Sequence, residues 1–274
     1  MVQTKEMANR HATRNINHVG SMVDNERAEP HDFDFVRRQL NAPPHWANQT
    51  LHTWSAALPR DKQPFVTRHY WTETGSVNVF RVVGTDHWDY QGKTWLQLLT
   101  DGKRMPHNLQ WLHDNPDYYL APQSRAPRLF YNTVDGLDFY VGADGNHRTC
   151  LARFFLAEHG LSQLHDVTVN HYQVDEIAYQ TWQRAQAALL AQRRPITVIP
   201  RPVQAGRDDT AGWKLDHYRL AFQWQDLDSG QDNILDRDAF LARCQDLAIA
   251  RFKPAAPSHT TALRHRIASL FKRS

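Results

Sequence analysis

At 274 residues the chain can hold one large domain or two small ones and bury a substantial core. Its 41 % hydrophobic and 22 % charged content is ordinary for a globular protein, and its net charge is only +3. Its two cysteines, Cys150 and Cys244, give no disulfide framework and suit a reducing cytoplasm, and the histidines show neither zincin spacing nor a Cys-x-x-Cys partner, which argues against structural zinc.

Residues 1–29 are polar and contain no apolar run, so they read as a flexible arm, not as a signal peptide or a membrane span. Residues 31–40 and 51–58 read as short helices, the first followed by Pro43-Pro44 and the second ended by Pro59. Residues 68–73 and 77–83 alternate around Gly75, the pattern of a hairpin. Helices are predicted over 93–99 and 106–114, the second cut by Asn115-Pro116 because proline disfavours helix in the residue before it. A loop over 122–127 leads to two short strands within 130–141, around the turn Val134-Asp135-Gly136-Leu137. Leu151, Phe154 and Phe155 then mark an amphipathic helix ending on Gly160. Beyond it come a strand over 166–172, a long helix over 174–194, a short apolar stretch over 196–199 and an exposed polar loop over 204–212. A strand over 213–224 and a helix over 237–251 follow.

This order predicts an α+β fold, a small mixed sheet with surrounding helices. The expected organisation is an α/β region over 30–104 packed on a core over 105–200, a strand-helix extension over 201–253 and a basic amphipathic helix over 254–274. No linker separates these parts, so one compact body is expected.

The passage Val141-Gly142-Ala143-Asp144-Gly145-Asn146-His147-Arg148-Thr149-Cys150 says most about function. A strand, an Asp-Gly turn and a helix opening with His and Arg make an anion site, because the first N–H groups of a helix lack internal partners and carry the positive end of its dipole. Gly145 permits close backbone approach, and Arg148 adds a planar donor fork. Asp144 is the best carboxylate for a divalent metal accompanying phosphates; it equally suits capping the helix start. His147 is the residue type for acid–base work near neutral pH.

Asp144-Gly145-Asn146-His147-Arg148, closing a hairpin and opening a helix, resembles the Asp-Gly-x-His-Arg signature of the ParB/sulfiredoxin-like superfamily over roughly residues 105–175. That superfamily includes CTP-using partition proteins, sulfiredoxin, free-serine kinases and plasmid-borne nucleases or ATPases. The resemblance implies that Gly145, Asn146, His147 and Arg148 lie against nucleotide phosphates, with Asp144 at the edge of the site; Thr149 is added as a nucleotide-binding candidate, and Asp144, His147 and Arg148 are the catalytic candidates. It leaves room for Mg²⁺ with ATP or CTP, and for Asp144 as the metal ligand. Sulfiredoxin carries its cysteine immediately before the His-Arg pair, where this chain has Asn146, so thiol chemistry is not expected. The arginine-rich box of the partition CTPases is absent.

Arg125, Arg128 and Arg153 stand near the motif, and Asp135, Asp138, Glu73, Asp86 and Asp89 are further carboxylate candidates. Residues 251–274 carry Arg251, Lys253, Arg264, Arg266, Lys272 and Arg273 with no acid, so the rest of the chain is net negative. This tail, with Leu263, Ile267, Leu270 and Phe271 on one helical face, suits contact with nucleic acid through Arg264, Arg266, Lys272 and Arg273, or docking of a protein partner. No P-loop, dinucleotide fingerprint or nucleophile elbow occurs. The expected function is binding of nucleotide or nucleic-acid phosphate, with NTPase, phosphotransferase or nuclease activity. The alternative is a non-enzymatic DNA- or protein-binding module of plasmid or phage biology, of the partition or transfer-inhibition type.

Overall fold

The computed structural model describes residues 28–122, 127–142 and 144–246. Most of the expected arm, Arg125 and the basic tail with Arg264, Arg266, Lys272 and Arg273 lie outside the described residues.

In chain order the elements are α1 (Asp34–Asn41), β1 (His52–Thr53), α2 (Trp54–Ala57), β2 (Val66–Asn78), β3 (Val82–Thr85), α3 (Trp95–Asp101), α4 (Met105–Asp114), α5 (Asp117–Leu120), β4 (Phe130–Thr133), β5 (Phe139–Val141), α6 (Asn146–Glu158), β6 (Gln163–Val174), α7 (Glu176–Ala191), β7 (Ile196–Thr210), β8 (Trp213–Asp226), β9 (Asp232–Asp236) and α8 (Arg237–Asp246). The fold is α+β at this level, and the strands form one mixed sheet in the order β1-β3-β5-β4-β6-β2-β8-β7, with β9 beside β8. Nine strands exceed the small sheet expected. Strands from before residue 105 and after it share that sheet, with β2 between β6 and β8.

Several local expectations are corrected. Gly75 does not turn a hairpin; it lies inside the single thirteen-residue strand β2, at a register irregularity opposite Val167. A Cβ there would stand 2.8 Å from Val169 Cγ2, so this glycine serves close packing. Residues 204–210 are not a loop but the outer half of β7, paired with β8 up to Thr210↔Trp213. Their polarity reflects exposure of the sheet's edge strand, since the β8 residues they pair with are themselves paired with β2, and the turn itself uses Gly212 at φ +94°. The helix expected over 51–58 is β1 followed by the four residues of α2. The helix expected from residue 31 begins at Asp34, after a 3₁₀ turn over Pro30–Asp32.

Two cores hold the sheet. Val82, Tyr131 and Val141 from the strands pack with Trp95, Leu98, Leu109, Leu112 and Phe154 from α3, α4 and α6. Phe65, Phe222, Trp224 and Phe240 form the second core under α7 and α8. The expected amphipathic helix after the motif is instead buried on all sides: every residue of α6 from Asn146 to Leu156 is inside. Fully burying Leu151 and Phe154 contributes about 1.5–3 kcal/mol each. The helix ends as its glycine predicts. Gly160, at φ +66°, follows the cap, and Leu161 N–H donates to Leu156 O at 2.8 Å.

Burial all round explains the polar residues in the body of α6. Arg153 does not face the motif. Its guanidinium donates to Val79 O and Val82 O, both at 2.8 Å, and lies against the rings of Trp46 and Trp95. Burial lowers its pKa to about 10. Cys150 is fully buried, its thiol donating to Trp95 O at 3.4 Å, and burial raises its pKa well above the usual thiol value. Neither Cys150 nor Cys244 is disulfide-bonded, and both are buried.

Candidate functional site

The sheet positions the site by ending three strands together. β1, β3 and β5 run parallel, and the ladder continues past β3 as Asp86 N–H donates to Val141 O at 2.9 Å. Beyond Val141 the chain must reverse into α6, and Gly145 makes that turn at φ +99°. Two constraints require glycine there: the left-handed backbone, and a Cβ that would lie 2.7 Å from Leu129 Cδ2.

α6 thus starts at the wall of a cleft of about 640 Å³. Asp144, Gly145, Asn146, His147 and Arg148 all line it, so the structure brings this part of the motif together. The opposite wall is the α3–α4 connection and α4, with Lys103, Arg104, His107 and Trp111, and the segment after β3 adds His87, Asp89 and Tyr90.

The side chains divide by what they hold. Thr85 Oγ1 accepts from His87 N–H at 2.9 Å and donates to Asn146 Oδ1 at 2.6 Å. That chain fixes the carboxamide of Asn146, a residue 3 % exposed that lines the cleft. Among the described residues no acceptor meets Nδ2, and the opening N–H groups of Asn146, His147 and Arg148 also lack an internal partner. The Arg104 guanidinium is exposed, with no ion-pair partner among the described residues, while Lys103 reaches Asp89 at 2.9 Å.

Arg148 has a different role from the one its sequence position suggests. It is 5 % exposed, and its Nη1 donates to Tyr118 OH at 2.8 Å and to Pro127 O. Its Nη2 donates to Asp144 Oδ2 at 2.8 Å. The guanidinium therefore ties the helix start to α5 and to the segment before β4. Asp144 spends its other oxygen on Gly145 N–H at 2.7 Å and stays 72 % exposed. It braces the turn without capping α6. Thr149 leaves the cleft: it is fully buried, its hydroxyl 2.9 Å from Tyr131 OH.

His147 is buried at the cleft floor. Its Nε2 lies 3.4 Å from both Arg104 N–H and Tyr90 OH, and Gly102 lets the ring approach, since a Cβ there would meet Cδ2 at 2.7 Å. A backbone N–H can only donate, so Nε2 is the unprotonated nitrogen of a neutral ring. Burial first, then the Arg104 guanidinium, lowers its pKa to about 4. Burial likewise raises the Tyr90 phenol, with the Asp89 carboxylate adding to the effect.

No family model, no curated protein and no solved structure matches this chain.

The other candidates separate from the cleft. Arg128 pairs with Glu73 at 2.6 Å, Asp138 pairs with Arg81 at 2.6 Å, and Asp135 accepts from Leu137 N–H and Asp138 N–H within its own turn. Among the described residues Asp89 is the carboxylate outside the motif that reaches the cleft. Sequence reasoning passed over Lys103 and Arg104; the signal was a basic pair after Gly102, between two helices. Among the described residues no group of three or more His, Cys, Asp or Glu side chains is arranged to hold a metal ion, and no helix is long and apolar enough to cross a membrane.

Asp144, the carboxylate expected to hold Mg²⁺, is 72 % exposed and pairs with Arg148, and among the described residues no cluster of three or more ligand side chains surrounds it. A divalent ion of this kind is held by one or two carboxylates beside substrate phosphates, whereas Asp144 already faces a guanidinium at 2.8 Å.

Proposed function

We propose that the protein binds a phosphate-bearing ligand, a nucleotide or a nucleic-acid phosphate, in the cleft at the start of α6. The observation that carries this reading is the convergence of unpartnered donors: three backbone N–H groups, the buried Asn146 carboxamide and the exposed Arg104 guanidinium, all bordering one cleft. A helix N-terminus with open N–H groups favours anions through both hydrogen bonds and its dipole. The volume, about 640 Å³, lies in the range of small-ligand sites. ATP and CTP are of suitable size and charge.

The reading agrees with the ParB/sulfiredoxin-like resemblance, which we extend as a proposal to a core centred on β4, β5 and α6. It modifies the roles. Asn146 and Arg104 are the ligand-facing donors, Arg148 is the brace behind them, and His147 is a neutral floor. Binding without turnover is favoured over NTPase, phosphotransferase or nuclease activity. A histidine with a pKa of about 4 is a weak base and is unprotonated as an acid at neutral pH. Among the described residues the cleft carboxylates, Asp89 and Asp144, each pair with a cation.

The test is a thermal-shift series with ATP, CTP, tripolyphosphate and a DNA oligonucleotide, on wild type and Arg104→Glu. A ligand held only by the native state stabilises it by about 2.7 kcal/mol at a hundred times Kd. Wild type should melt several degrees higher with at least one phosphate ligand, and Arg104→Glu should lose that gain. Wild type unmoved by every ligand refutes the proposal.

A further inference from the structure

An indole largely in solvent packs on a residue of this cleft. Trp88, in the segment after β3, is 77 % exposed. Its ring is near-parallel to that of His87, 16° apart with centroids at 6.3 Å, and His87 lines the cleft. His87 in turn packs on Tyr90, centroid to centroid 4.6 Å, and Tyr90 meets His147 edge-on at 5.1 Å. An aromatic surface therefore runs from the cleft floor to its rim.

The backbone beneath that surface is tied on every side. Asp86 N–H is bonded to Val141 O, His87 N–H to Thr85 Oγ1, Asp89 N–H to His87 Nδ1, and Tyr90 N–H to His87 O. The Asp89–Lys103 pair joins the segment to the opposite wall. Thr85 is shared, since the hydroxyl that receives His87 N–H also positions Asn146. Thr85 thus links the backbone next to Trp88 to the Asn146 carboxamide. A large flat ring kept in water beside an anion cleft is suited to a ligand that carries a planar group next to its charge.

We infer that the ligand of this cleft is a nucleotide whose base stacks on the Trp88–His87 surface while its phosphates meet the start of α6. This rests on the phosphate reading above and narrows it to a ligand with an aromatic base, excluding sugar phosphates and inorganic polyphosphate as the preferred partner. Stacking recognises the π-face common to every base, so discrimination between ATP and CTP is small at this surface.

The experiment titrates ATP and tripolyphosphate separately into the full-length wild type, Trp88→Ala and Trp88→Tyr. The substitutions lie on the exposed rim and leave both cores intact. Trp88→Ala should weaken ATP about ten-fold or more, in line with the loss of one base–aromatic stack. Tripolyphosphate should bind Trp88→Ala within two-fold of wild type, and Trp88→Tyr should recover most of the ATP affinity. Wild type that binds tripolyphosphate as tightly as ATP, or a Trp88→Ala variant that affects both ligands equally or neither, overturns the stacking inference and leaves the anion site standing. Wild type that binds neither ligand refutes the anion site itself.

Discussion

Replacing Arg148 separates a brace from a ligand. In the native state its guanidinium serves Tyr118 OH, Pro127 O and Asp144 Oδ2 from a position 5 % exposed. The Asp144 pair alone is a weak contributor, about 0–1 kcal/mol, because that carboxylate is largely in water. The bonds to Tyr118 and Pro127 are charge-assisted and buried, worth about 1.5–3 kcal/mol each, and their loss is partly offset by access of water to the cleft. Arg148→Ala should therefore cost about 3–4 kcal/mol, whereas Asp144→Asn should cost about 1 kcal/mol or less. At about 2–4 °C per kcal/mol for a domain of this size, Arg148→Ala should melt roughly 10 °C below wild type without any ligand present. The assay is thermal and urea unfolding of wild type, Arg148→Ala and Asp144→Asn. A melting temperature for Arg148→Ala within 2 °C of wild type would refute the brace and return Arg148 to the role of phosphate ligand.

Other consequences concern neighbouring positions. His147 binds a proton at about pH 4 in the folded protein and at 6.5 when unfolded, so the unfolded state takes it up first as pH falls. Its contribution is complete above pH 6.5 and is lost between 6.5 and 4, by up to about 3 kcal/mol. Urea unfolding across that range should show the slope, and His147→Gln should flatten it; an unchanged slope removes His147 as its source. Gly145→Ala combines a left-handed backbone with a Cβ 2.7 Å from Leu129, and should cost about 2–4 kcal/mol by the same assay. A loss below 1 kcal/mol would mean that the turn relaxes freely.

The motif was legible because its chemistry is local. The Asp-Gly turn, the hairpin before it and the helix after it each depend on neighbours within a few residues, and Gly160 marks the helix end by the same logic. What sequence could not convey was the direction of side chains in a helix buried on all sides. Arg148, Thr149 and Arg153 follow one another along α6, yet one braces, one packs and one lies among tryptophans in the core. Lys103 and Arg104 reach the site only through the packing of α3 and α4 against α6, a contact across more than forty residues that no short spacing encodes. The outer half of β7 has loop-like composition for a related reason, since an edge strand whose residues are all exposed need not be apolar. Gly75 shows the converse, a turn residue in a strand where a neighbouring side chain needs the space.

The most direct measurement is amide NMR on isotope-labelled full-length protein during titration with tripolyphosphate. The backbone N–H signals of Asn146, His147 and Arg148, together with the Asn146 side-chain amide, should move and saturate along one binding curve, and in Arg104→Glu that curve should weaken or vanish. Saturating phosphate that leaves these four signals in place would contradict an anion site at the start of α6.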